Sequence, residues 1–186
     1  MTDELLWKEL QNGNQGALKR IYDEHIVDLL QYGCRFTGAK EMVEDCVHDL
    51  FIYLWQNRSS LGNTHSIKSY LLVSLRRRIF KHLKKESVID SKEPVSFEAG
   101  LSVEDKWILA EDDAEKHRAL QEAFAALSDR QKEAIYLRYY QQMNYQSISQ
   151  VMDINYQSVR NLIHNGIQGM RKVMAILACL TFLLLA

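Results

Sequence analysis

The sequence has little of what β-sheets, disulfide scaffolds and secretion signals require. One proline among 186 residues and few β-branched runs favour an all-helical chain. The three cysteines lie far apart without a C-x-x-C pair, which argues against a disulfide framework and fits a reducing cytoplasm. The chain begins with acidic Asp3 and Glu4, whereas a signal peptide begins with basic residues before an apolar run, so we expect no signal peptide.

The motifs of common enzyme classes are also missing from the sequence. It has no Gly-rich phosphate loop, no nucleophile elbow and no H-E-x-x-H. The six histidines are scattered without the spacing of a zinc site. Cys46 and His48 are two residues apart on a predicted helix, so their side chains do not face each other. We therefore predict a protein that is not an enzyme, with no catalytic residues, no metal and no cofactor.

Charge is balanced over the whole chain but not along it. The formal net charge is -1, so a nucleic-acid site must depend on local charge. Residues 66–85 hold seven basic residues and no acid, and such cations repel one another unless they have a partner. Residues 86–115 hold ten acids and two lysines, with Pro94 and Gly100. We interpret them as an acidic linker, flexible in its first half, with helix resuming near Val103.

Apolar residues at helical spacing predict four helices before this linker. A short first helix ends at Asn12-Gly13-Asn14, and a long second helix ends at Thr37-Gly38. A third helix runs from about Met42 to Asn57, and a fourth from about Ser66 to Lys85, with a polar loop at residues 58–65 between them. These helices form the predicted first domain, residues 3–85.

Residues 127–172 predict one helix followed by a helix-turn-helix. Ser128 with Gln131 fits a capping box, and Asp153 tolerates the left-handed backbone of a turn. Each of the three predicted helices follows a good N-cap residue: Ser128, Asn144 and Asn155. A DNA-binding helix-turn-helix places the first turns of its second helix in the major groove. An ordinary helical hairpin with a solvated polar face is the alternative that spacing leaves open.

The polar side of the last helix is rich in side chains that can bind base edges. Residues 156–172 include three basic residues and no acid, and Gln, Asn and Arg can form paired hydrogen bonds with bases. The candidate DNA-binding residues are Tyr156, Gln157, Ser158, Arg160, Asn161, His164, Arg171 and Lys172.

The region around this helix-turn-helix resembles region 4 of bacterial extracytoplasmic-function sigma factors. The resemblance is carried by RQKEAIYLRY at residues 130–139, by the helix-turn-helix itself and by Met170-Arg171-Lys172 after it. The resemblance implies that the candidate residues recognise the -35 element of a promoter. Three positions depart from the family, at Ser149, Asp153 and Gly166. Each is small or compatible with a turn, so the departures concern which bases are recognised and not the fold.

Residues 44–55, EDCVHDLFIYLW, resemble region 2.2 of the same family. In the family this helix binds the clamp coiled coil of the RNA polymerase β′ subunit. The implied core-binding residues are Asp45, His48, Asp49 and Trp55. The family usually has glutamine where this chain has His48, a change that would alter the contact or make it pH-sensitive. For an isolated helix, an acidic solvated face is the alternative interpretation.

The basic segment from Ser69 to Lys85 resembles regions 2.3 and 2.4. Basic groups contact phosphates, and interleaved aromatics such as Tyr70 and Phe80 can stack on unpaired bases. In the family this helix and the loop before it melt the -10 element and bind a flipped-out base. The implied residues are Asn63, His65, Lys68, Tyr70, Arg76, Arg77, Arg78, Lys81, Lys84 and Lys85. A basic solvated helix is the alternative.

The last segment, VMAILACLTFLLLA at residues 173–186, has no charge. Its length as a helix is about 21 Å, whereas the hydrocarbon core of a bilayer is ~30 Å thick. We expect it to extend the last helix and pack on a protein surface, with membrane-surface contact as the alternative.

These observations predict an all-α protein of two helical domains joined by a flexible acidic linker. The boundaries are 3–85 for the region 2 domain, 86–115 for the linker, 116–172 for the region 4 domain and 173–186 for the apolar tail. The resemblance implies an alternative sigma factor that binds core RNA polymerase at the β′ clamp coiled coil and the β flap, recognises -35 and -10 elements and helps melt promoter DNA.

The same resemblance implies no small-molecule substrate and a cytoplasmic location. It also implies an anti-sigma factor, which can hold such a protein at the inner membrane. Two other hypotheses remain open: a stand-alone helix-turn-helix regulator and a membrane-associated helical adaptor that uses the apolar tail.

Overall fold

The structure is a computed structural model that describes the backbone of residues 2–89, 96–97 and 114–185. Side chains are described for residues 2–85, 96–97 and 120–175. Residues 58–60 form a 3-10 turn, Arg58–Ser60. The α-helices of the described residues, in chain order, are the following: α1 Asp3–Gln11, α2 Gln15–Gly33, α3 Lys40–Gln56, α4 Ile67–Ile89, α5 Ala114–Ala125, α6 Asp129–Tyr139, α7 Tyr145–Met152 and α8 Tyr156–Leu185. The all-α prediction is confirmed. Of the predicted flexible half of the linker, residues 86–89 are helical and belong to α4, and Phe97 is buried. Its other residues, apart from Ser96, and the predicted helix near Val103 lie outside the described residues.

The chain forms two compact units, and the first contains α1 to α4. Helices α2, α3 and α4 pack against one another in pairs, and α1 lies against α2. The core of this unit is made of side chains that are almost completely buried: Trp7, Leu10, Ile21, Leu29, Tyr32, Leu50, Leu54, Leu71 and Leu75. The predicted break after α1 is present, since Gly13 has a φ of 86° and Asn14 accepts hydrogen bonds from the N–H groups of Gly16 and Ala17.

Two helix ends in this unit differ from the sequence prediction. Helix α2 ends at Gly33, before the predicted Thr37-Gly38, because the N–H groups of Arg35 and Phe36 bond to carbonyls three residues back. This tighter turn buries Phe36, whose ring packs edge-on against Tyr32. Helix α4 continues to Ile89, past the predicted end at Lys85, since no proline or glycine interrupts it there.

In the second unit, α8 packs against both α5 and α6. Gly166 is buried where α8 approaches α6, and a Cβ there would lie 2.8 Å from Ile135 Cδ1. Phe97 also belongs to this unit and is buried, with its ring 5.8 Å from the Tyr136 ring. Helix α8 runs without interruption to Leu185, which confirms that the apolar tail extends the last helix. Among the described residues, no helix combines the length and apolarity needed to cross a membrane.

Gly33 permits the close packing of α2 on α3, so we predict that Gly33→Ala destabilises the first unit. A Cβ at this position would collide with Val43 Cγ1 and lie 3.2 Å from Ile79 Cδ1. Overpacking of this kind typically costs about 1–3 kcal/mol of unfolding free energy. Urea unfolding followed by circular dichroism measures the change. Gly38→Ala is the control, since nothing lies within 4 Å of its Cβ position. Equal midpoints for the two variants would contradict the argument.

Candidate nucleic-acid interface

Each helix of the helix-turn-helix begins directly after an N-cap residue. Asn144 Oδ1 accepts a hydrogen bond from the Ser147 N–H at 2.8 Å at the start of α7. Asn155 Oδ1 accepts one from the Ser158 N–H at 2.7 Å at the start of α8. Asp153, in the turn between them, has a φ of 54°. The three predictions, Asn144 and Asn155 as caps and Asp153 in a left-handed turn, are confirmed.

The capping box at the start of α6 is confirmed as well. The backbone N–H of Ser128 donates to Gln131 Oε1 at 3.0 Å, and α6 begins at Asp129 as predicted. The result is a helix whose start is fixed by its own sequence before any packing is considered.

Helix α8 has one buried side and one exposed side, as predicted. Val159 and Ile163 are buried, Gly166 is buried, and Met170 is half-buried. Of the candidate DNA-binding residues, all but one are exposed: Tyr156, Gln157, Arg160, Asn161, His164, Arg171 and Lys172. Ser158 is half-buried, and its N–H is occupied by Asn155.

The exposed side of α8 divides into two groups. Tyr156 to His164 share its first turns, whereas Arg171 and Lys172 lie at least ~10 Å further along the axis, at 1.5 Å per residue. Within the first group, Gln157 Nε2 donates to Asn161 Oδ1 at 3.1 Å, and the Tyr156 ring meets the Tyr145 ring edge-on at 5.9 Å. These contacts place the two amides side by side on the surface and set the Tyr156 ring against Tyr145.

Arg130 was not among the residues assigned to DNA binding from sequence, but it lies beside two of them. It is exposed in the first turn of α6 and shares a surface hollow of about 280 Å³ with Ser158 and Asn161. A cation in the first turn of a helix is disfavoured by the helix dipole. A basic residue in the first turn of a predicted helix is therefore the sequence feature that could have marked Arg130 as a candidate for binding an anion.

The basic helix α4 presents most of its charge on one side. Helical spacing aligns Tyr70, Arg77, Lys81 and Lys84. Arg77, Lys81, Lys84 and Lys85 are exposed, and Arg76 and Arg78 are half-buried. The guanidinium groups of the latter two lie over aromatic rings, Arg76 over Phe80 at 4.4 Å and Arg78 over Tyr53 at 5.3 Å.

Lys68 differs from the other cations of α4. Its Nζ forms an ion pair with Asp28 Oδ2 of α2 at 2.7 Å. The premise that this helix carries seven cations without a partner is therefore wrong for Lys68, because the compensating acid lies on another helix, distant in sequence.

The two aromatic residues of α4, Tyr70 and Phe80, pack against other aromatic rings of the first unit and are only partly exposed. The Tyr70 ring lies 4.9 Å from the Trp7 ring, and burial raises the pKa of the Tyr70 hydroxyl. Phe80 packs edge-on against Phe36 at 5.3 Å. Stacking of unpaired bases on these rings would have to use their exposed edges, since each is half-buried.

The loop before α4, residues 57–66, holds the remaining two candidates for the -10 element. Asn63 is exposed, and exposed His65 contacts Glu4 Oε1 through Nδ1 at 2.7 Å. The loop starts with the 3-10 turn Arg58–Ser60, where Arg58 Nη1 donates to the Trp55 carbonyl at 2.7 Å.

The four residues assigned to polymerase binding occupy two adjacent surfaces on α3. Asp45, His48 and Asp49 are exposed, with exposed Ile52 one turn beyond Asp49. Trp55 is half-buried and lines a hollow of about 400 Å³ with Tyr22 and other residues of α2 and α3. Ile52 and Tyr22 were not assigned from sequence, and their exposure is visible only in the packed unit.

A larger apolar groove lies on the second unit, between α5, α6 and α8. Its volume is about 430 Å³, and it was not predicted from sequence. The main apolar side chains that line it are Leu120, Phe124, Ile135, Ile167, Met170 and Met174. Among the described residues, no group of three or more His, Cys, Asp or Glu side chains could hold a metal ion.

Comparison with known proteins matches both units to family models. The model "Sigma-70 region 2" matches residues 21–88, and the model "Sigma-70, region 4" matches residues 117–168. The ECF RNA polymerase sigma factor SigK of Mycobacterium sp. (strain JLS) is 24% identical over 174 residues, which are 90% of this chain and 88% of SigK. SigX of Bacillus subtilis (strain 168), also named an ECF sigma factor, is 24% identical over 84% of this chain and 83% of SigX.

Two solved structures share the fold. CnrH, solved with the cytosolic domain of CnrY, superposes with a TM-score of 0.62 at 15% identity, over 94% of this chain and 97% of CnrH. RpoE of Bartonella quintana, solved with the anti-sigma factor NepR, gives a TM-score of 0.60 at 16% identity, over 85% of this chain and 98% of RpoE.

The start of α8 depends on its cap, so we predict that Asn155→Ala loosens the first turn of the candidate DNA-binding helix. Replacing an N-cap Asn by Ala typically costs about 0.5–2 kcal/mol. Amide hydrogen exchange of residues 156–160 should become faster, and the unfolding midpoint should fall. Asn165→Ala is the matched control, because Asn165 is exposed inside α8 and caps nothing. An equal effect of both substitutions would rule out a capping role.

Proposed function

This chain belongs to the extracytoplasmic-function sigma factors of the sigma-70 family, and we propose that its two units divide promoter recognition between them. It is an alternative sigma factor that binds core RNA polymerase and directs it to promoter DNA. The region 2 domain, residues 3–85, would bind core polymerase and the -10 element. The region 4 domain, residues 116–172, would bind the -35 element, with the acidic linker at 86–115 between them.

The observation that carries this proposal is the exposed polar face on the first turns of α8. Its cap, its left-handed turn and its buried opposite side together match the docking of a recognition helix in a major groove. Arg160 and the paired amides of Gln157 and Asn161 have the groups that bind base edges. Arg130, beside Ser158, suits a phosphate contact, which would fix the register of the helix on the duplex.

For the -10 element, the proposed surface is the exposed side of α4 with the loop before it. Arg77, Lys81, Lys84 and Lys85 would contact backbone phosphates. Asn63 is exposed in the loop before α4 and would contact a base. Lys68 is the weakest candidate of the set, because Asp28 already neutralises it. Opening the duplex costs a few kcal/mol for each flipped base, which polymerase contacts would help to offset.

For the polymerase, we propose two contact surfaces. Asp45, His48 and Asp49, with Ile52, offer an acidic face with an apolar side chain for the β′ clamp coiled coil, and Trp55 lies next to them. The apolar groove between α5, α6 and α8 suits a helix laid into it, and we assign it to the β flap. An anti-sigma factor would compete for one of these surfaces.

Further parts of the proposal follow from the family. The chain itself would catalyse no reaction, since RNA synthesis belongs to the polymerase, and it would act in the cytoplasm. A stand-alone helix-turn-helix regulator is not favoured, because the region 2 match covers α3 and α4, which such a regulator has no need for.

The direct test is transcription in vitro with purified core RNA polymerase from the same bacterium on its own genomic fragments. We expect new, discrete start sites only when the protein is added, with two shared sequence elements upstream of them. Gel filtration should show co-elution with core polymerase. If no start site appears and no co-elution occurs, the proposal fails and the stand-alone regulator takes its place.

Arg160→Ala should weaken recognition of the -35 element while -10 recognition stays intact. Removing a side chain that binds a base typically costs about 1–3 kcal/mol and relaxes the preference at one position. Transcription from a library of promoters randomised at the -35 element measures this preference. Gln168→Ala is the control, since Gln168 is exposed on the same helix beyond its first turns. An unchanged base preference for Arg160→Ala would remove this residue from the interface.

A further inference from the structure

One side of α1 is aimed at the loop 57–66 and the start of α4. Asp3, Glu4, Trp7 and Gln11 recur at helical spacing and therefore share this side. Each of them contacts a residue between Leu61 and Ile67. The paired residues are separated by 50 to 64 residues in sequence, so these contacts cannot be predicted from the sequence of the loop alone.

Two of these contacts hold the backbone in the middle of the loop. Trp7 Nε1 donates to the Gly62 carbonyl at 2.9 Å, and Gln11 Nε2 donates to the Leu61 carbonyl at 2.7 Å. Trp7 is 1% exposed and rests on the Tyr70 ring, so its indole N–H has a fixed direction. Two successive carbonyls of an irregular segment are thereby satisfied by a neighbouring helix, which removes freedom from the backbone at that point.

A third contact fixes the end of the loop. Asp3 Oδ2 accepts a hydrogen bond from the Ile67 N–H, the first amide of α4, at 2.9 Å. A carboxylate at this place is favoured by the helix dipole and satisfies an amide that has no partner within its own helix. The Glu4–His65 contact is exposed on both sides and adds little energy.

The loop segment held in this way is the one that precedes the candidate base contact. Asn63 follows Gly62 directly and is exposed. The other end of the loop is held by Arg58, whose guanidinium lies 4.4 Å from the Trp55 ring. Asn63 therefore projects from a backbone with fixed points on both sides, and α1 supplies those on Leu61, Gly62 and Ile67.

We infer that α1 positions the loop 57–66 for recognition of the -10 element, with Trp7 and Gln11 as positioning residues that do not touch DNA. The inference rests on the -10 role proposed for Asn63 and α4. Its chemical basis is preorganisation: a loop already fixed in its binding geometry loses less entropy when a flipped-out base enters it. Specificity at that base, rather than polymerase affinity, is the property that α1 would set.

The test compares Gln11→Met with Lys8→Met in the full-length protein. Met is about as long as Gln and has a similar helix propensity, so Gln11→Met removes the hydrogen bond with little other change. Lys8→Met introduces the same side chain on the exposed side of α1. Trp7→Phe is a second variant, which keeps an aromatic ring but loses the indole N–H.

Two measurements are made on each variant. Amide exchange of residues 59–66 in the free protein should become about two- to tenfold faster for Gln11→Met and Trp7→Phe, the factor that one hydrogen bond is worth. In transcription with core polymerase, discrimination between the best -10 element and one with a single base change should fall by a similar factor. Affinity for core polymerase should stay the same, and Lys8→Met should match the wild type in every measurement.

Results that contradict the role of α1 can be distinguished from results that contradict the proposed function. Unchanged amide exchange in both variants would show that α1 does not hold the loop. If the loop amides exchange faster but discrimination between -10 elements is intact, the contact is only structural and the inference is overturned. The same holds if discrimination falls only in proportion to a loss of affinity for core polymerase. If the wild-type protein itself gives no promoter-specific transcription, the proposed function has failed, and the inference fails with it.

Discussion

Backbone groups at the end of a helix have no partner within that helix, and the positions of both proposed DNA-binding elements depend on how this chain supplies one. At α8, Asn155 provides it from the adjacent residue. At α4, Ser66 Oγ accepts a hydrogen bond from the Ser69 N–H, and Asp3 of α1 accepts one from the Ile67 N–H. The cap at α8 fixes where the proposed recognition helix begins along the chain. The bond from Ile67 to Asp3 also fixes the position of α4 relative to α1, so this capping bond contributes to tertiary structure.

The same distinction between local and distant partners applies to charge. The seven cations of α4 lie between residues 68 and 85, a stretch without an acid, and the first acid of the helix, Glu86, follows them. This uneven distribution suggests an external anionic partner. Asp28 neutralises Lys68, and aromatic rings lie beneath Arg76 and Arg78. Exposed Arg77, Lys81 and Lys85 remain on one side of the helix, so packing concentrates the charge where DNA is proposed to bind. Solvent screens such exposed charges strongly, and their effect is therefore largest when several act on one phosphate backbone.

These contrasts explain which features sequence could predict. Ser128, Asn144 and Asn155 form hydrogen bonds with residues three positions away, and Asp153 adopts its left-handed φ on its own. Their residue types were therefore sufficient to locate three helix starts and a turn. The buried side of α8 followed from its period. The groove of α5, α6 and α8, the hollow at Trp55 and the contacts of α1 join residues far apart in the chain. No pattern in one segment encodes them, because each needs the packing of a whole unit.

Helix α8 links two surfaces that are proposed to bind different partners. Its first turns carry the polar face proposed to bind DNA, while Ile167, Met170 and Met174 further along line the apolar groove. Gly166 lies between the two and lets α8 approach Ile135 of α6 more closely than a larger residue would. Because one rigid helix contributes to both surfaces, a partner that shifts α8 within the groove would also move the proposed recognition turns. Close packing at Gly166 opposes that shift and is a physical reason for glycine there, since a Cβ at this position would lie 2.8 Å from Ile135 Cδ1.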